Sequence, residues 1–175
     1  MSDTILVTYA TSTGSTREIA HIIADTLRTH DLSVVVKPVE EITALDDYRA
    51  VVLGSAVQYG KCLPTALTFA NKHQTTLAQM PVAVFCVHIQ NLGDDVKSVE
   101  NRTAYLDDMR AVITPIAETY FAGRFSRDGA RRLMPRILAR FMPDVDLRDA
   151  EAFRTWAAKL APRLQAALMT ESDRA

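Results

Sequence analysis

Ile5-Leu-Val-Thr-Tyr9-Ala-Thr-Ser-Thr-Gly14-Ser-Thr-Arg-Glu-Ile-Ala20 reads as a strand, a turn and a helix, in that order. Ile5 to Tyr9 is a short apolar run with β-branched and aromatic residues, the pattern of a strand buried on both faces. From Ile19 the apolar period changes. Ile19, Ile22, Ile23 and Leu27 fall on one face of a helix, with Ala20 and Ala24 beside them. Between strand and helix, Thr11, Ser12, Thr13, Ser15 and Thr16 place five hydroxyls around Gly14. Such a turn delivers backbone N–H groups at the positive end of a helix, where they have no intrahelical partner. The hydroxyls add donors, and glycine lets the backbone approach an anion closely. Capping the helix needs one hydroxyl. Five predict a phosphate cradle.

The residue types narrow the ligand. The turn has no Lys and no G-x-x-x-x-G-K-[ST], which argues against a nucleoside-triphosphate loop, and the chain has no G-x-G-x-x-G dinucleotide fingerprint. One hydroxyl-rich loop suits one phosphate monoester. Neither Cys62 nor Cys86 has an Arg six residues on, which argues against a small phosphatase loop. Ala10-Thr11 and Gly54-Ser55 end their strands without a carboxylate to accept phosphate, which removes a response-regulator reading.

Tyr9-x-Thr11-x-x-Gly14-x-Thr16-x-x-x-Ala20-x-x-Ile23 resembles the flavodoxin signature, in which this loop holds the phosphate of FMN. Thr8 departs from it, standing where that family usually has an apolar residue. Within the superfamily, Gly14-Ser-Thr-Arg-Glu-Ile-Ala20 and Gly54-Ser-Ala-Val-Gln-Tyr-Gly60 together resemble the menaquinone-dependent protoporphyrinogen oxidase branch. The resemblance runs from Ile5 to Leu160. It implies FMN as cofactor, with Thr11, Ser12, Thr13, Gly14, Ser15 and Thr16 at the phosphate. It also implies that the loops after strands three and four clasp the isoalloxazine. Ala56, Val57, Gln58, Tyr59 and Gly60 belong to the first loop, and His88, Ile89, Gln90 and Asn91 to the second. Tyr59 is the only aromatic in either loop and so the expected stacking ring, unless it is an ordinary exposed loop tyrosine. Gly60 would let a carbonyl turn toward flavin N5 on reduction, as in the family. His88 either lines the flavin or is a structural residue. No acid–base pair that would define a substrate stands out.

The remaining elements alternate. Strands are expected at Leu32–Val39 (with Pro38 near its end), Ala50–Ser55, Met80–Val87 and Glu118–Phe125. Helices are expected from Pro64 to about His73 with Leu67 and Ala70 inward, and from about Val99 to Val112 with Tyr105, Leu106, Met109 and Val112 as the apolar side. A last helix starts at Asp149 and should kink or break at Pro162. This pattern predicts an α/β, flavodoxin-like three-layer sandwich: a five-stranded parallel sheet of order 2-1-3-4-5 with its ligand outside the carboxyl ends of strands one and three. A length of 175 residues suits a single domain spanning 1–175.

Charge and composition bound the rest. The formal net charge of −1 lacks the acidic field with which shuttle flavodoxins steer to basic partners. No apolar run reaches membrane-spanning length, and the first strand leaves little room for a signal peptide. Cys62 and Cys86 form no C-x-x-C, so no metal and a reducing cytoplasm are expected, and no nucleic-acid partner. The segment at about 124–143 reads as a basic amphipathic insertion. Leu133, Met134, Ile137, Leu138, Phe141 and Met142 share one half of a helical wheel, and Arg132, Arg136 and Arg140 the other. No acidic residue occurs from Ala130 to Met142. Such a helix packs on its own sheet or lies on an anionic membrane surface, making the protein peripheral to the inner face of the cell membrane. Two function classes follow. One is an FMN oxidoreductase of the protoporphyrinogen oxidase type, moving hydrogen from protoporphyrinogen IX to a quinone. The other is a non-enzymatic FMN electron carrier.

Overall fold

A computed structural model describes residues 4–125 and 144–172 of the chain. The segment assigned from sequence to a basic amphipathic helix, with Arg132, Arg136 and Arg140, lies outside the described residues.

Strand β1, Thr4–Ala10, is buried along its whole length. It lies between β2, Ser33–Pro38, and β3, Ala50–Gln58, and is parallel to both. Strand β5, Val82–His88, pairs in parallel with β3, and β6, Ala117–Ala122, in parallel with β5. Pro38 closes β2 at its last residue, where no further ladder donor is required. Period-two alternation sends Ile5 and Val7 to one face of the sheet and Leu6 to the other.

The first face is covered by α1, Ser15–Arg28, and by α6, Ala150–Ser172. Ile19, Ile23 and Leu27 of α1 meet Phe153, Leu160 and Leu164 of α6 over Val52 and Phe85. The opposite face packs under α2, Pro64–Lys72, the short α3, Gln74–Leu77, and α5, Asp107–Arg110. Phe69, Leu77 and Met109 enter that second core beside Leu53 and Val84. Helix α4, Val96–Thr103, buries none of its residues.

Several expectations need correction. The main sheet has six strands, not five, because Lys61–Cys62 forms β4, antiparallel to the end of β3. Its path is therefore β2-β1-β3-β5-β6, with β4 off the path. The fifth expected strand ends early: Ala122 closes β6, and Arg124–Phe125 forms a separate strand, β7, antiparallel to β8, Val145–Asp146. The expected helix from Val99 to Val112 is instead α4, a 3-10 turn at Ala104–Leu106 and α5. Tyr105 and Leu106 in that turn are buried, as is Met109 in α5. Leu67 is only partly buried, and Ala66 and Phe69 take the inward places beside Ala70.

Asp149 does cap α6, its carboxylate accepting from the N–H groups of Glu151 and Ala152. Pro162 does not end that helix. The apolar face runs past it on both sides, from Phe153 through Leu160 and Ala161 to Leu164 and Leu168, all buried. Burying several such side chains outweighs the ~3 kcal/mol cost of an internal proline.

Candidate cofactor site

The strand order puts the carboxyl ends of β1, β3, β5 and β6 on one edge of the sheet, where open α/β sheets take their ligands. The first wall is the turn from β1 into α1. Gly14 forms the N-cap of α1 with φ of +93°, left-handed backbone that glycine adopts freely. No side chain caps the helix. Instead the Gly14 N–H donates to Thr11 Oγ1 at 2.9 Å, so Thr11 folds the loop rather than the helix end. The first N–H groups of α1 are thus left for a ligand. Thr16 is fully buried, and its Oγ1 has no hydrogen-bond partner among the described residues.

The second wall is the β3–β4 hairpin. Gln58 pairs with Lys61, leaving Tyr59 and Gly60 as a two-residue turn with φ of +52° and +76°. Two positive φ values mark a type I′ turn, whose twist matches that of the strands. Gly60 suits it; Tyr59 holds a left-handed conformation at a cost of about 1 kcal/mol and is 90% exposed. Ser55 Oγ accepts from the Leu63 N–H at 2.9 Å and ties the hairpin back to β3.

The third wall follows β5. His88 is the last residue of β5 and not a loop residue; its carbonyl accepts from the Gly123 N–H at 2.8 Å. His88 is 4% exposed. His88 Nδ1 donates to the Gln90 carbonyl at 2.5 Å, and the ring meets Tyr105 edge-on with centroids 5.3 Å apart. Burial holds the imidazole below its ordinary pKa, partly offset by the Gln90 bond. Asn91, in left-handed conformation, donates to the Tyr105 hydroxyl at 2.5 Å. Arg102 donates to the carbonyls of Asn91 and Gly93 and pins this loop to α4.

These walls enclose a cavity of about 290 Å³. Of the residues expected from sequence, it is lined by Ser12, Thr13, Ser15, Ala56, Val57, Gln58, Tyr59, Gly60, His88, Ile89 and Gln90. Thr11, Gly14, Thr16 and Asn91 are not on its surface; Thr11 and Asn91 shape the loops behind it. Sequence reasoning missed Val87, Tyr105, Gly123, Arg124 and Phe125, which also line it. The carboxyl-end rule pointed to Gly123–Phe125, since they directly follow β6. Nothing local to Tyr105 signals its place. Neither thiol serves as a nucleophile: burial pushes Cys62 up to about 11 and Cys86 still higher.

A family model for the flavodoxin domain matches residues 6–153. The chain belongs to the flavodoxin domain family. Flavodoxins bind FMN, and FMN is the cofactor of this family. The residues present fit it: among the described residues the helix N-terminus has no side-chain cap and the buried Thr16 hydroxyl no partner, and Ser12, Thr13 and Ser15 give the cavity a hydroxyl-lined end.

Among curated proteins, this flavodoxin-domain chain is 33% identical over 86 residues to protoporphyrinogen IX dehydrogenase [quinone] of Escherichia coli strain K12. The match covers 48% of each chain, so it spans about half the length of that relative. Among solved structures, rubredoxin oxygen:oxidoreductase of Desulfovibrio gigas superimposes with a TM-score of 0.59 at 15% identity, covering 95% of this chain and 37% of that one. A flavodoxin from the domain Archaea superimposes with a TM-score of 0.52 at 14% identity, covering 93% and 99%. The structural likenesses show the fold. Among the described residues no helix is long and apolar enough to cross a membrane.

Proposed function

We propose that this chain is an FMN-dependent oxidoreductase that takes hydrogen from protoporphyrinogen IX and passes it to a quinone. The observation that carries the proposal is the cavity's apolar mouth. Tyr59 and Ile89 line the cavity and are 90% and 39% exposed, a rim suited to a flat apolar molecule. The name of the relative matched over about half its length supports the same pair of substrates. Bound in the cavity, FMN would supply the hydride-accepting chemistry. The chain's own groups would do the rest. Ser12, Thr13, Ser15 and the N–H groups opening α1 would hold the phosphate. Val57, Gln58 and Gly60 would contact one side of the ring system and Ile89 and Gln90 the other. Tyr59 would shield the outer face from water. Hydroxyls in the loop, with no lysine, suit the single phosphate of FMN.

The basic stretch with Arg132, Arg136 and Arg140 would add attraction to anionic lipid, where apolar substrates and quinones reside; each such residue near a charged surface contributes about 1 kcal/mol. Co-sedimentation with anionic and neutral vesicles at low and high salt tests that contact, with an Arg132/Arg136/Arg140→Glu triple variant as control.

The decisive assay is anaerobic. FMN-loaded protein is mixed with protoporphyrinogen IX and menaquinone, and porphyrin fluorescence is followed. Porphyrin formation that depends on both protein and quinone is the expected result. FMN-loaded protein that forms no porphyrin overturns it and leaves the non-enzymatic electron carrier in its place.

A further inference from the structure

His88 is the only imidazole lining the cavity, and one of its ring nitrogens is already committed. A carbonyl oxygen can only accept, so the Gln90 carbonyl 2.5 Å from Nδ1 fixes the proton there. The neutral ring therefore carries its lone pair on Nε2. Nε2 has no hydrogen-bond partner among the described residues. His88 as a residue is 4% exposed and lines the cavity. Tyr105, packed edge-on and held through its hydroxyl by Asn91, backs the imidazole.

Among the described residues, the charge that acts on the ring is that of Arg102. Arg102 lies behind the loop and opposes a proton on His88, as burial does. Arg124, on the cavity wall, lies 3.8 Å from Glu18. With the cavity uncharged, the imidazole is neutral.

We propose that His88 is the proton acceptor of the cavity, taking one proton onto Nε2 when a flavin bound there receives two electrons. The inference rests on the reading of the cavity as the FMN site. The balance is simple. A hydride reaching oxidised FMN brings one hydrogen and two electrons and leaves the reduced flavin with one negative charge. Water supplies one proton to Nε2, which becomes N–H while Nδ1 keeps its bond to Gln90. The buried cavity then holds a paired cation and anion in place of a lone anion, which burial penalises heavily. The sign follows. Before reduction the ring's pKa lies below its ordinary value; the anion raises it, and between the two values each reduction takes up one extra proton.

Two measurements on the FMN-loaded protein test this. The first is the two-electron midpoint potential against pH for wild type and His88→Gln. In that window the wild-type reduction equilibrium should change by an additional factor of ten per pH unit, about 30 mV per unit for a two-electron couple. The second is the ¹⁵N spectrum of the histidine rings in FMN-free, oxidised and reduced wild-type protein at pH 7. His88 should show a lone pair on Nε2 in the first two states and an imidazolium in the third. His73, away from the cavity, should be the same in all three. Equal slopes in both proteins, or a neutral His88 ring in the reduced protein, overturns the inference. If His88→Gln loses FMN, the wild-type ring signals decide alone. Wild type that binds no FMN sinks the cavity assignment itself, and the inference with it.

Discussion

Phe85 lays its ring against the α-carbon of Gly54. A Cβ built at Gly54 would come within 2.1 Å of Phe85 Cζ. The two residues are register partners on β3 and β5. Phe85 is fully buried and cannot yield, since Phe121 and Trp156 lie against it at ring centroid distances of 5.9 and 6.2 Å. Gly54→Ala should therefore destabilise by about 3 kcal/mol, the upper range for overpacking a core. Urea denaturation measures it. Adding Phe85→Ala should recover part of the loss, a coupling that independent sites would not show.

Two buried hydroxyls lack partners among the described residues, those of Thr8 and Thr16, and they should respond differently to the same substitution. Thr8 is in mid-strand, paired between Lys37 and Leu53. Thr8→Val keeps the shape and removes an unsatisfied polar atom, so the protein should gain about 1 kcal/mol with FMN affinity unchanged. Thr16→Val should gain about as much without ligand but should weaken FMN about tenfold, the worth of one hydrogen bond to a charged group. Calorimetric titration with FMN reads the difference. Equal affinity in both variants would show that the loop works through its backbone alone.

Gly14→Val should abolish FMN binding. Its φ of +93° is strained for any β-branched residue, so the loop would have to rebuild just where the helix N-terminus meets the anion. Wild-type affinity in that variant would remove the loop from the site.

Tyr59 offers a test with opposite signs. Tyr59→Gly relieves the left-handed strain at φ +52° and should stabilise the FMN-free protein by about 1 kcal/mol. The same change removes the ring at the cavity mouth and should weaken FMN by about 1–2 kcal/mol, the scale of aromatic stacking. Thermal melts with and without FMN separate the two. A variant that melts higher in both states refutes stacking.

Arg110 and Glu118 form a fork, 2.7 and 3.0 Å between nitrogen and oxygen, with the Tyr120 hydroxyl on the same carboxylate. The Arg110 bonds hold Glu118 below its ordinary pKa of 4.5. A depressed carboxylate stabilises the fold above its unfolded value, and the contribution fades as pH falls through the folded one. The pair is partly solvated, so Glu118→Gln should cost about 1 kcal/mol at pH 7. At pH 3 the difference from wild type should shrink; a constant difference would mean that packing, not charge, is lost.

Some of this molecule is written in contiguous residues. Ile5–Tyr9, the hydroxyls around Gly14 and the face of Ile19, Ile23 and Leu27 announce strand, turn and helix because side-chain period and turn chemistry are local properties. The same locality made the Asp149 cap legible. Tertiary structure alone decided what depends on residues far apart. Lys61 and Cys62 are a strand only because the tight Tyr59–Gly60 turn brings them back to Gln58 and Val57. Pro162 remains inside α6 because Phe153 and Leu164, on either side of it, are held in the same core as α1. Gly123 and Arg124 join Ser12 and Tyr59 around one cavity because parallel pairing aligns the carboxyl ends of strands far apart in sequence, and Tyr105 joins them from the turn between α4 and α5. His88 reads in sequence as a lone histidine after an apolar run; its proton is placed by the carbonyl of Gln90 and its free nitrogen by the cavity it lines. Sequence sets local conformation through the bonds each residue can make nearby, whereas a site's electrostatics arise only once burial has removed water from groups brought together over long range.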